Sequence, residues 1–326
     1  MNWGEQDEVE RVRMRASSQR RLKIGLQLPE VEYVASWREH VEMARISEEI
    51  GLDSLWLGDH LLYKYAHEAA KGPWECWSFL SALAAVTTRV ELGPLVLCAG
   101  FRNPALVAKM AETIDEISGG RFILGLGAGW NEPEYAAFGY PFDQRFARFS
   151  EAFFIIRSLL RDGRVDFEGT FHTARECEII PRGPRAGHIP LMIGSSGEKM
   201  LRLTLPHVDQ WNIWFADFGN SVPGLRPYLE RIDAICGEVG RDPAEIERTA
   251  ALLVTAPGGS FRQTGAQGER AAKGITGTPD EIAQAFRDFY AAGISHIQIV
   301  LDPITPASIA WLAPVIELLG PERGIR

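Results

Sequence analysis

The chain has 326 residues, 46% hydrophobic and 24% charged, an ordinary globular composition with ample material for one large core. Its net charge of −9 leaves no basic surplus to neutralise phosphates, which argues against a nucleic-acid partner. No run of about 18 apolar residues marks a membrane span. Residues 1–21 mix Glu5, Asp7, Glu8 and Glu10 with Arg11, Arg13, Arg15, Arg20 and Arg21 and lack the apolar stretch of a signal peptide, so a cytoplasmic location is expected. The cysteines Cys76, Cys98, Cys177 and Cys236 lie far apart without a CxxC, as reduced thiols do, and neither a disulfide frame nor a zinc site is expected.

Residues 1–21 read as a flexible extension and 22–326 as one domain, in which short apolar runs alternate with amphipathic stretches. The first strand is Leu22–Leu28. Ser36 opens a helix, completed as a capping box by Glu39 and stopped by Gly51. A strand at Ser54–Leu57 precedes a helix at Trp77–Val86. A third strand, Val90–Leu97, leads to a helix from Pro104 to just before Gly119, and a fourth, Phe122–Leu126, to a helix at Arg145–Arg161. From Gly163 to Ile180 the pattern turns to glycine-punctuated, β-prone pieces, an inserted hairpin. Strands at Leu191–Ile193, Gln210–Trp214, Ile246–Val254 and Ile294–Leu301 follow, with helices from Gly197, at Leu225–Val239, from Thr278 (a second capping box, with Glu281) and at Ala307–Leu319. Polar, glycine-rich Pro257–Gly274 reads as a lid or a loop that orders on binding. Eight βα repeats without a composition break predict a single (β/α)8 TIM barrel of the α/β class.

Barrel enzymes place chemistry at the C-terminal ends of strands. The second strand ends in Asp59-His60, a carboxylate beside an imidazole that can orient a hydroxyl and move a proton; the alternative is Asp59 as a cap and His60 bonded to backbone. After the third strand, Cys98-Ala99-Gly100 is small enough for a planar ring, and Arg102 can pair with an anion or stand in solvent. Gly125-Leu126-Gly127-Ala128-Gly129 is GxGxG, not the dinucleotide GxGxxG, and suits close backbone approach to a flat ligand or a tight turn. Gly194-Ser195-Ser196-Gly197 runs into a helix whose free N–H groups form an anion site, with Lys199 one turn in, unless a serine simply caps the helix. Trp74, Trp77, Trp130, Trp211 and Trp214 fall near strand ends, where two or three would line a cofactor cleft. No HExxH or paired Cys–His spacing suggests a metal.

The segments SLWLGDH, RVELGPLVLCAGFRNPALVAKMAETIDEISGGRFILGLGAGWNEPE, PLMIGSSG, DQWN and GTPDEIAQAFRDFYAAGISHIQI occur in the order seen in the luciferase-like flavin and coenzyme F420-dependent oxidoreductases, which Leu22 to Leu319 resembles. The resemblance is strongest to the deazaflavin branch. It implies an enzyme, expected as a homodimer, that transfers a hydride between coenzyme F420 and an unidentified small substrate; the alternative is an FMN-dependent monooxygenase, and a third class is a relative that binds cofactor without turnover. It implies a ring at the barrel mouth, with Asp59 touching cofactor or substrate and His60 as acid/base. A bulge at Leu95–Cys98, often holding a non-prolyl cis peptide, would support the ring through Val96 and Cys98. Ala128 and Gly129 would contact the ring, and Ser195, Ser196, Gly197, Lys199 and Met200 would form the phosphate turn. Where the sugar-phosphate dehydrogenases of that branch carry a catalytic glutamate after the fourth-strand glycines, this chain has Trp130, and Glu132 or Glu134 would need another loop path to replace it.

Overall fold

The computed structural model describes residues 21–64, 69–259, 263–264 and 270–320. Its strands are β1 (Lys23–Gln27), β2 (Ser54–Leu57), β3 (Glu91–Pro94), β4 (Leu97–Cys98), β5 (Leu124–Gly127), β6 (Arg164–Glu168), β7 (Thr173–Glu178), β8 (Leu191–Gly194), β9 (Gln210–Ile213), β10 (Glu247–Thr255), the short β11 (Gln263–Thr264) and β12 (Arg270–Ala271), and β13 (His296–Asp302). The main helices between them are α1 (Trp37–Glu49), α2 (Cys76–Val86), α3 (Pro104–Ser118), α4 (Glu132–Phe138), α5 (Arg145–Asp162), α6 (Glu198–Thr204), α7 (Val222–Glu238), α8 (Pro279–Ala291), α9 (Pro306–Trp311) and α10 (Ala313–Leu319). Both expected capping boxes form: the Ser36 and Thr278 hydroxyls accept from the amides of Glu39 and Glu281, whose carboxylates accept in return from the cap amides.

One 9-stranded sheet runs in the order β3-β2-β1-β13-β10-β9-β8-β5-β4, with every pairing in it parallel. β3 and β4 are one stave broken in the middle, so the sheet is an eight-stave barrel. It closes where the Ile123 amide donates to the Leu92 carbonyl at 2.8 Å and the Leu92 amide to the Arg121 carbonyl at 3.0 Å. The strands are buried on both faces, against the helices outside and each other within, which is why their sequences read as near-continuous apolar runs. The β6–β7 hairpin is antiparallel, as expected of the inserted segment. Among the described residues no helix is long and apolar enough to cross a membrane.

Three elements depart from the reading of hydrophobic periodicity alone. The third strand is interrupted at Leu95–Val96, joined by a cis peptide bond at the bulge the family resemblance implies. The closing helix is two, α9 and α10, meeting at Leu312. Helix α4 is absent from the periodicity reading because its 7 residues are too few to establish a period, although Pro133, two first-turn glutamates and Gly139 just past its end are helix boundary signals. The expected extension (1–21) and lid (Pro257–Gly274) fall largely outside the described residues.

Candidate active site at the barrel mouth

The wall of the mouth is built around Val96. At the broken stave this half-buried side chain turns inward, and a Cβ on Gly125, Gly127 or Gly194 would stand 2.9 Å from one of its methyls. The glycines of β5 and β8 therefore make room for Val96, which becomes the side chain presented where three positions on two strands carry none. Gly129 has a positive φ of 73°, open to glycine at little cost, and its carbonyl accepts from Arg145 Nη1 at 2.7 Å. Ala128 beside it is half-buried, and its carbonyl accepts from the Tyr135 hydroxyl at 2.8 Å.

His60 stands beside this wall. Its Nδ1 lies 2.9 Å from Glu134 Oε1, while Glu134 Oε2 accepts from the amides of Leu61 and Leu62 at 2.8 and 3.3 Å. Glu134 is 1% exposed and His60 17%, with Tyr63 at 4.6 Å and Trp130 at 5.4 Å between ring centroids. A carboxylate can only accept, so it places a proton on Nδ1 and leaves Nε2 for chemistry; Nε2 has no hydrogen-bond partner among the described residues. Burial lowers the His60 pKa and is the largest single influence. The hydrogen bond to Glu134 and the charges of Glu30, Glu134 and Asp59 outweigh it and hold the pKa above its ordinary value. The protonated ring therefore stabilises the fold on the acid side, a contribution lost as pH rises through the folded-state value. Glu134→Gln removes the charge, so the titration midpoint of His60, followed by its ring-proton NMR signals in apoprotein, should move to lower pH. An unmoved midpoint would show that Glu134 does not govern this imidazole.

Asp59, expected in the acid/base and cofactor roles, is enclosed. Arg102 donates to both its oxygens at 2.7 and 2.8 Å, and the Cys98 amide donates to Oδ2 at 2.9 Å. Arg102 also reaches Glu75 at 2.6 Å. The bidentate fork ties the end of β2 to the end of β4, which gives both residues a framework function. Cys98 packs under the wall, its thiol pushed up to about 12 by burial and so held as the neutral, unreactive form.

At the β8 end, Ser195 and Ser196 are half-buried, Gly197 and Lys199 are exposed, and the Met200 side chain packs into the core, leaving only its amide toward the turn. Gly197 is the N-cap of helix α6 and offers no side-chain cap, its own amide donating to Ser195 Oγ at 3.3 Å, so the N–H groups of the first helical turn remain available. Trp211 Nε1 donates to the Ser195 carbonyl at 2.7 Å and holds the turn from below. The cation reaching this turn is Arg231, at 3.1 Å from the Ser196 carbonyl; Arg202 is bound to Glu198 and Glu238 instead, each at 2.8 Å. Of the tryptophans, Trp77 and Trp211 are core, Trp214 is half-buried, and Trp130 meets His60. Among the described residues no group of three or more His, Cys, Asp or Glu side chains is placed to hold a metal ion.

Residues 16–257 match the model of the family described as luciferase-like monooxygenase. The chain is 38% identical over 164 residues to the F420-dependent glucose-6-phosphate dehydrogenase of Amycolatopsis mediterranei (strain U-32), covering 49% of this chain and 48% of that protein. It is 37% identical over 175 residues to the pyrimidine monooxygenase RutA of Methylorubrum extorquens (strain PA1), covering 52% and 45%. It thus spans about half the length of the curated relatives it matches. Among solved structures, an F420-dependent secondary alcohol dehydrogenase in complex with an F420–acetone adduct superposes with a TM-score of 0.76 at 20% identity over 91% of this chain and 98% of that one. Riboflavin lyase (RcaE) with modified FMN and riboflavin gives 0.78 at 18% over 94% and 92%. At these identities the likeness is one of fold.

Proposed function

Because the chain belongs to the luciferase-like monooxygenase family, we propose that it is an oxidoreductase which binds coenzyme F420 at the barrel mouth and transfers a hydride between it and a small organic substrate. The observation that carries this reading is the His60–Glu134 pair, 2.9 Å apart beside the Val96–Ala128 wall. That wall fits a flat ring: glycines leave Val96 as the projecting side chain, and Ala128 and Gly129 are held by Tyr135 and Arg145 so that the backbone lies open. Val96, Cys98, Ala128 and Gly129 would support the ring, and Ser195, Ser196, Gly197 and the amides of Lys199 and Met200 would take its phosphate. When bound, the deazaflavin supplies the hydride-carrying carbon. The chain's own part is to fix one face of the ring, to screen the site with Tyr63 and Trp130, and to hold or release a proton at His60 Nε2. With Nδ1 tied to Glu134, Nε2 takes a proton from a substrate heteroatom when the ring is neutral and gives one when it is charged.

A second reading, an FMN-dependent monooxygenase, is favoured by the pyrimidine monooxygenase, matched over a span as long as the dehydrogenase's. Titration of the apoprotein with F420 and FMN separates the two. F420 is expected to bind more tightly, and Ser196→Glu to weaken it at least tenfold, about 1.4 kcal/mol, by setting a carboxylate against the phosphate. Tight FMN binding with oxygen consumption, and none of F420, would overturn the deazaflavin assignment. An unchanged affinity in the Ser196 variant would move the phosphate elsewhere.

A further inference from the structure

Helix α4 sends two neighbouring side chains to adjacent staves at the mouth. Glu134 reaches the end of β2, where it holds His60, Leu61 and Leu62. Tyr135, fully buried, reaches the ends of β4 and β5. Its hydroxyl lies 2.8 Å from the Ala128 carbonyl oxygen and 2.8 Å from Cys98 Sγ. The carbonyl accepts only, so the tyrosine proton points to Ala128 and the Cys98 thiol donates to the tyrosine oxygen. Burial raises the pKa of both groups, which keeps both protons in place and fixes the direction of the chain. The backbone closes tightly around this hydroxyl: a Cβ on Gly100 or Gly129 would come within 2.7 or 2.3 Å of it. The ring of Tyr135 is wedged between Phe101 and Phe142, at 4.9 and 5.2 Å between centroids, so the hydroxyl has little freedom to choose another partner.

We infer that Tyr135 is a positioning residue for the ring seat: its hydroxyl sets the plane of the Ala128–Gly129 peptide on which the ring rests, and its place beside Glu134 on α4 locks that seat to the proton-handling His60. This rests on the reading above that the ring lies at this wall. The deletion of interest is the hydroxyl alone. Tyr135→Phe fills the same space against Phe101 and Phe142 but leaves the Ala128 carbonyl and the Cys98 thiol without their shared partner.

The test is a fluorescence titration of full-length apoprotein, as wild type and Tyr135→Phe. The probes are F420 and FMN, each paired with its phosphate-free ring fragment (the deazaflavin ribityl fragment and riboflavin). Tyr135→Phe is expected to weaken the bound cofactor and its ring fragment by the same factor, roughly tenfold, because the lost contact acts at the ring. Wild-type affinity in Tyr135→Phe overturns the positioning role while leaving the cofactor reading intact. A loss confined to the full cofactor and sparing the fragment also overturns it, since that places the effect at the phosphate end. A wild type that binds none of the four probes overturns the cofactor reading, and the inference with it.

Discussion

Replacing His60 with alanine is expected to lower turnover by about 10²–10⁴-fold while leaving cofactor affinity within about twofold, the usual worth of a positioned acid or base. The expectation follows from how the imidazole is held. Nδ1 is occupied by Glu134, the side chain is still 17% exposed, and Nε2 is left for a substrate. Folding should survive the change, because Glu134 keeps its two amide donors from Leu61 and Leu62 and is not left as a bare buried charge. The measurement is steady-state turnover of His60→Ala beside wild type, with a substrate found by screening metabolites against the cofactor-loaded enzyme, and cofactor titration in parallel. Equal turnover would make His60 a structural residue and return the dipeptide Asp59-His60 to the plainer alternative of cap and backbone contact.

Asp59→Ala should act on stability first, by about 3–5 kcal/mol. Its carboxylate is buried under the Arg102 fork, and deleting it leaves a largely buried guanidinium with Glu75, which is itself 42% exposed, as its remaining carboxylate. The Cys98 amide loses its acceptor in the same step. Asp59→Asn should cost less, since an amide oxygen still accepts one donor. Urea unfolding of the apoprotein followed by circular dichroism reads the difference directly. If Asp59→Ala unfolds at the wild-type midpoint yet abolishes turnover, the direct catalytic role expected from sequence holds and the framework role does not.

Those two residues adjoin in sequence and take entirely different partners, which shows where sequence reading stops. Caps, the glycine punctuation of the hairpin and the alternation of strand and helix depend on residues a few positions apart, so the barrel, its inserted hairpin and both capping boxes were legible in the chain. The resemblance to a family extended that reach to the bulge at Leu95–Val96. The pairings that give each group its chemistry span long separations: Arg102 lies 43 residues from Asp59, and Glu134 lies 74 from His60. Neither distance leaves a local pattern. With Trp130 after the strand glycines, a carboxylate needs another path to the mouth, and α4 is that path: a helix too short to announce itself by period, which swings Glu134 back over the end of β2 and Tyr135 under the end of β5. The glycines of β5 invite a similar lesson. Their sequence says only that side chains are absent. That the space belongs to Val96 was decided by the closure of the barrel, which brings a broken stave beside strands that had to be bare to receive it.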